Sequence, residues 1–441
     1  MTEKIFDESN LFKLKGFLED IKKDMKSNSI FIDFEYIDIQ IKALEKKVKN
    51  GETMGELAGK VVLLKDNIST KDLKTTAGSK MLENFVPIYD AHIVKKLKEK
   101  DALILGKASM NEFGLNVDYN NDIEPFVKSV EKGFADISIG SDDGGSLRKS
   151  ASLCGLFGYV PSYEMISNYG LILLGDYLNR AGIVGKTVED IILTINSIGG
   201  NDFMDSTSNK KKNLNFKIDD KINLKNLKFV SLIKNKEKDN LDESVNSSVK
   251  EFEEFLIKEN ASFKEKIFDL YDYSASLYSS LLAMEAVSSL GRYDGLRYGY
   301  QVEKYNNIDE FFLNTRKEVF SDDIKELLAR GSKYLSLDNR DFFTKVFKVR
   351  EHFKNEINNI FKDNDFIILP TENKKELNNS AVLNSYPDWV VNTMVNFLGL
   401  CSITVPIGKN KSLFQIISKR NDDERLLNLA YFIERRVQNG I

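Results

Sequence analysis

Histidine and cysteine are almost absent from this chain. Its 441 residues include two of each, His92 and His352, Cys154 and Cys401, and a single tryptophan, Trp389. Two histidines are too few for a three-ligand catalytic zinc site without carboxylates or further thiols, and two cysteines cannot build a four-cysteine structural site. The expectation is a chain without a metal centre. One cysteine pair in so long a sequence, with no apolar signal segment near Met1, points to a reducing, cytoplasmic compartment rather than a disulfide framework. The sequence also lacks any apolar run of about 18 residues or more, so no membrane span is expected. Charge of one sign is missing too: 63 basic side chains against 67 acidic ones leave a net charge of -4, which argues against a strongly basic nucleic-acid binder. With 42% apolar and 29% charged residues, the composition is that of a globular protein.

Apolar periodicity organises the chain. Residues 10–26 and 34–49 carry apolar positions at three- and four-residue spacing, so residues 1–50 read as a helical segment packing on a core formed by 51–441. Short apolar runs at 61–64 and 102–105 flank an amphipathic stretch beginning at His92, which suggests a parallel strand–helix–strand unit. Further strand candidates lie at 136–139, 227–233, 366–369, 402–405 and 413–417. A Lys-, Asn- and Asp-rich stretch near 205–226 reads as a surface linker. Because strands are expected on both sides of it, the fold class is α/β: one domain with a large mixed β-sheet covered by helices on both faces.

Candidate chemistry centres on Gly144-Gly145-Ser146. Adjacent glycines let several backbone N–H groups point into one small volume, and a serine directly after them can present its hydroxyl where those amides stabilise an oxyanion. Taken alone the triplet is weak evidence, because most such triplets are turns. A serine nucleophile needs a base. His92 opens an amphipathic stretch and His352 follows Arg350-Glu351 on a helical surface, positions that suit solvated or structural roles. Lys65 follows four apolar residues, as the end of a buried strand would, and a lysine held neutral by burial can serve as the base. The alternative is a buried lysine paired with Asp66.

These segments together resemble the amidase signature family, and within it the A-subunit branch of the glutamyl-tRNA(Gln)/aspartyl-tRNA(Asn) amidotransferases. The matching residues include Val62-Leu63-Leu64-Lys65-Asp66-Asn67, Thr75-Thr76-Ala77-Gly78-Ser79-Lys80, Gly106-Lys107-Ala108-Ser109-Met110-Asn111-Glu112-Phe113 and Gly140-Ser141-Asp142-Asp143-Gly144-Gly145-Ser146-Leu147-Arg148. The run Ser288-Ser289-Leu290-Gly291-Arg292-Tyr293-Asp294-Gly295-Leu296-Arg297-Tyr298-Gly299 resembles the A-subunit branch in particular. The resemblance implies a nucleophile at Ser146, an ultimate base at Lys65, and an oxyanion hole from the amides of Asp143, Gly144 and Gly145. It implies hydrolysis of the side-chain amide of glutamine, with ammonia passing to a B subunit that uses ATP and magnesium to amidate Glu-tRNA(Gln), and a small C subunit bracing the pair. No cofactor is expected in this chain itself, and tRNA is expected to bind mainly through the B subunit.

The sequence departs from the family pattern in three places. The family relays a proton through a further serine on a loop before the nucleophile strand; here that loop is shorter, and the position falls near Asp122, with Ser129 the nearest downstream hydroxyl. The expectation is either a relay rebuilt through Ser129 or water, or a weakened glutaminase step that leaves the chain as a structural partner. The family grips glutamine with an arginine and an aspartate, and the matching positions are near Leu327 and Trp389, so Arg330 and Asp388 are the substitute candidates, with Tyr298 a third substrate-binding candidate. Asp143 stands where the A-subunit branch usually has threonine, bringing a second carboxylate beside Asp142. A stand-alone amidase acting on another small amide is the remaining reading.

Overall fold

The computed structural model describes residues 6–24, 29–115, 123–210, 214–219, 222–233, 243–371, 392–407 and 412–438. Two helices lead, α1 (Glu8–Asp24) and α2 (Phe34–Lys49), with the two-residue strand β1 (Ile30–Phe31) between them. Then β2 (Val61–Lys65), α3 (His92–Glu99) and β3 (Leu103–Ala108) form the expected parallel unit, Val61 pairing with Leu103 and Lys65 with Ala108. The helix α4 (Pro125–Glu131) leads into β4 (Ile137–Asp142), parallel to β2, and α5 (Ser146–Cys154) follows directly. Next come β5 (Phe157–Val160), β6 (Arg180–Gly185), α6 (Val188–Ile198), β7 (Lys228–Ile233), α7 (Glu243–Lys258) and β8 (Ser262–Ile267). Four helices, α8 (Ser274–Leu290), α9 (Ile308–Val319), α10 (Asp322–Leu335) and α11 (Arg340–Asp363), precede β9 (Phe366–Pro370). The described chain closes with α12 (Thr393–Leu398), β10 (Cys401–Thr404), β11 (Phe414–Ser418) and α13 (Asp423–Gln438).

Among the described residues, all eleven strands join one mixed sheet in the order β1-β3-β2-β4-β6-β5-β10-β11-β9-β7-β8. Alternation along β2 shows why Val61 to Leu64 are all apolar. Val62 and Leu64 pack on one face with Val94, Leu97 and Ile195 from α3 and α6, while Val61 and Leu63 pack on the other with Leu14, Ile41 and Val127 from α1, α2 and α4. A strand covered on both faces has no polar side to show. A third cluster, built mainly on α8, α10, α11 and α12, covers the sheet face presented by Val230, Leu232, Ile367 and Leu369.

The structure differs from the sequence reading at several strands. β4 runs three residues beyond Ile139, because Gly140, Ser141 and Asp142 pair with Gly182, Ala181 and Arg180 of β6. Polar residues stay in a buried strand there because each has a partner. β6 itself gave no apolar run: it opens on Arg180, whose guanidinium is buried against the carbonyls of Pro161, Leu400 and Val395 at 2.6–2.8 Å. β8 is an exposed edge strand carrying Lys264, Glu265 and Lys266, a pattern that sheds water-facing charge rather than advertising a core. Within 205–226, Leu214 and Leu224 are buried in the core, and residues 211–213, 220 and 221 lie outside the described residues.

Candidate active site

The end of β4 is a locked turn. Asp142 Oδ2 accepts from Arg148 Nη2 at 2.7 Å and Nε at 3.1 Å, and both side chains are fully buried. Burial alone would raise the Asp142 pKa, but the Arg148 charge and its hydrogen bond outweigh it and hold the carboxyl below its usual range. Arg148 also donates to Gln415 Oε1 and Asn396 Oδ1, each at 2.6 Å, and Asn396 returns a bond to the Asp142 carbonyl at 2.9 Å. The helix after the turn, the strand before it and two distant segments are thereby tied together.

Gly144 and Gly145 span this turn with φ of +75° and +106°, left-handed values that disfavour any side chain. They also have close neighbours: a β-carbon on Gly144 would stand 2.9 Å from the Tyr278 hydroxyl oxygen, and one on Gly145 would stand 2.7 Å from Asn392 Cβ. Ser146 is the first residue of α5, where the helix dipole and free N–H groups favour developing negative charge. Its side chain is only 4% exposed, and Ser146 Oγ has no hydrogen-bond partner among the described residues.

Lys65 ends β2 and reaches the same turn from the neighbouring strand. Its Nζ donates to Asp143 Oδ2 at 3.0 Å, Glu124 Oε1 at 3.1 Å and the Ser141 carbonyl at 3.3 Å. The sequence leaves open a neutral lysine or one paired with Asp66, and neither describes this arrangement. Asp66 instead accepts from Thr76. Burial by itself would lower the Lys65 pKa, but Asp143 and then Glu124 outweigh it, so the amine is held as an ammonium. The Asp143 pKa is raised as well: burial lifts it, Lys65 opposes and Glu124 adds to the rise. Ser141 Oγ donates to Asp143 Oδ2 at 2.8 Å and accepts from Asn67 at 2.9 Å, so the hydroxyl beside Lys65 belongs to β4 itself.

The remaining expectations fare unevenly. Asp122, Asp388 and Trp389 lie outside the described residues. Ser129 is buried on α4, but its hydroxyl turns back to the Phe126 carbonyl at 2.6 Å, so no relay runs through it in this arrangement. Arg330 on α10 bonds Ser279 of α8 at 3.4 Å and lies 3.7 Å from Glu326; Tyr298 is exposed, with its hydroxyl 3.4 Å from the Arg292 carbonyl. Neither hydrogen-bonds to the Lys65–Ser146 cluster among the described residues. His92 is structural, its Nδ1 3.2 Å from Asp202, and His352 is exposed on α11. Glu124, Asn396, Gln415 and Tyr278 were not legible as site residues; only the shortened loop before Glu124 hinted at a change there.

Comparison with known proteins decides the lineage. A model of the amidase family matches residues 14–128 and 129–427. The chain belongs to the amidase family. It is 32% identical over 449 residues to the A subunit of the glutamyl-tRNA(Gln) amidotransferase of Thermoanaerobacter pseudethanolicus, covering 96% of this chain and 92% of that protein. It is also 32% identical to the glutamyl-tRNA(Gln) amidotransferase A subunit numbered 2 in Clostridium acetobutylicum, over 96% and 94% of the two chains. Among solved structures, the glutamyl-tRNA(Gln) amidotransferase A subunit of Thermotoga maritima superposes with a TM-score of 0.72 at 25% identity, covering 97% of this chain and 92% of that one. The peptide amidase of Stenotrophomonas maltophilia, at 19% identity and a TM-score of 0.75, shares the fold. In this fold Lys65 and Asp143 meet where β2 and β4 end, and Ser146 opens α5 three residues further on.

Proposed function

We propose that this chain is the glutamine-hydrolysing A subunit of a tRNA-dependent amidotransferase that converts Glu-tRNA(Gln) to Gln-tRNA(Gln). The observation that carries the reading is Ser146, buried and unpartnered at the start of α5 behind a glycine pair with positive φ. In this reading Ser146 Oγ attacks the side-chain amide carbon of glutamine, and the amides of Asp143, Gly144 and Gly145 receive the oxyanion. The C–N bond breaks, ammonia leaves, and water hydrolyses the γ-glutamyl ester. Ammonia passes to a B subunit that holds ATP, magnesium and most of the tRNA surface, with a C subunit bracing the two in the cytoplasm. Arg330, Tyr298 and Asp388 are the candidates for gripping glutamine.

A second reading has its own support. Lys65 sits between two carboxylates, and an ammonium cannot accept a proton from serine, so a chain dependent on Lys65 as base would hydrolyse glutamine poorly. It would then act as a structural partner while the B subunit uses free ammonia. The assembled complex, supplied with glutamine or with ammonium chloride, separates the two. Glutamine-dependent amidation that vanishes in Ser146→Ala while ammonia-dependent amidation survives supports the first reading. Glutamine hydrolysis no faster in the parent than in Ser146→Ala overturns it.

A further inference from the structure

The cluster around Lys65 holds one carboxylate more than it has cations. Lys65 faces both Glu124 and Asp143, while Arg148, the cation of the adjoining turn, is taken up by Asp142, Asn396 and Gln415. Asp143 is fixed through one oxygen only: Oδ2 accepts from Lys65 at 3.0 Å and from Ser141 Oγ at 2.8 Å. Its other oxygen, Oδ1, is buried and has no hydrogen-bond partner among the described residues. Ser146 Oγ, three residues on across the glycine turn, is buried and unpartnered as well, and the two atoms do not hydrogen-bond to each other in this resting arrangement. A buried polar atom left without a partner costs about 1–3 kcal/mol, so each of these two oxygens is poised to take one when the site works.

We propose that Asp143 is the general base of this chain: its Oδ1 accepts the proton of Ser146 Oγ, and Lys65 is a positioning residue that holds the carboxylate through Oδ2. The proposal rests on the reading of Ser146 as nucleophile and replaces only the base. The proton moves from Ser146 Oγ to Asp143 Oδ1 as Oγ bonds to the amide carbon. The same proton then goes to the departing nitrogen as the C–N bond breaks, and ammonia leaves. In the second half, Asp143 takes a proton from the water that attacks the ester and returns it to Ser146 Oγ, so no proton is gained or lost by the enzyme. Charge favours the transfer: one ammonium and two carboxylates carry a net negative charge, and the proton brings the buried cluster to neutrality.

The test is the rate at which a fluorophosphonate probe labels Ser146 in the purified full-length chain, followed against pH and mapped by peptide mass. The parent should label at Ser146, with a rate that rises as one acidic group ionises. Asp143→Asn and Asp143→Thr should both label about a hundredfold or more slowly, the range lost with a general base. Lys65→Met should still label, but with its acid limb moved to higher pH, because the carboxylates have lost their cation; Lys65→Arg should move the limb back. Equal labelling of parent and Asp143→Asn overturns the proposal and spares the nucleophile. So does a parent profile with only an alkaline limb, a measurement that needs no variant to fold. A parent labelled no more than Ser146→Ala removes the nucleophile and the proposal together.

Discussion

Lys65 Nζ stands 3.0 Å from Asp143 Oδ2, and both side chains are almost wholly buried. The contact joins the ends of two parallel strands, β2 and β4, and sets the charge state of both groups. It also binds the departure at position 143 to the departure in the preceding loop, since Glu124 completes the pair from the other side. An ammonium between a buried carboxylate and a partly buried one is a unit whose members depend on one another.

That dependence is measurable. Lys65→Met leaves the buried Asp143 and the partly buried Glu124 without their cation, and breaking a buried pair in this way should cost about 3–5 kcal/mol in urea unfolding. Adding Asp143→Thr and Glu124→Gln to Lys65→Met should recover most of it, since no uncompensated charge is then left. A Lys65→Met chain as stable as the parent would show that the three groups are not coupled.

Lys107 supplies the contrast. It lies on β3 beside β2, fully buried like Lys65, but its amine meets a carbonyl, that of Ile68, rather than a carboxylate. Burial therefore prevails over the attraction of Asp66 and Asp90, and the pKa falls from 10.5 to about 7. The unfolded chain then binds more protons than the folded one between those two values, so this group's contribution to stability rises with pH across the window. The stability of the parent relative to Lys107→Met should rise from pH 7 to pH 10.5. A difference that stays flat, or falls, would mean that Lys107 is charged in the folded state.

Much of this was legible in the sequence because the chemistry lies in contiguous segments at strand ends. The apolar run before Lys65 announced a buried strand, and Gly144-Gly145-Ser146 announced the turn. The partners were not legible. Arg148 meets Gln415 and Asn396 across 267 and 248 residues of sequence, a closure no local pattern encodes. In the shortened loop, Glu124 approaches Lys65 while Ser129 turns into its own helix, because side-chain direction on α4 is set by packing that sequence spacing does not specify.

Arg148 should tolerate no substitute. Its planar fork serves Asp142, Asn396 and Gln415 at once, and a lysine cannot reproduce that geometry. Arg148→Lys and Arg148→Met should each lose about 3–5 kcal/mol, since both leave Asp142 buried and under-satisfied. Thermal melting of the two variants is the check. A lysine variant that melts with the parent would show that charge alone, not the fork, holds the turn.

Gly145 tests the oxyanion hole apart from the base. Its φ of +106° is strained for alanine, and the added methyl would stand 2.7 Å from Asn392 Cβ, where backbone and α12 would both have to yield. The neighbouring amides would turn from the position where the oxyanion forms. Loss of one such donor costs about 10²–10³ in rate. Gly145→Ala should therefore slow fluorophosphonate labelling of Ser146 by about that factor while leaving the pH of the acid limb unchanged, since Asp143 and Lys65 are untouched. A limb that moves with the rate would mean that the glycine turn positions the Asp143 carboxylate as well as the amides.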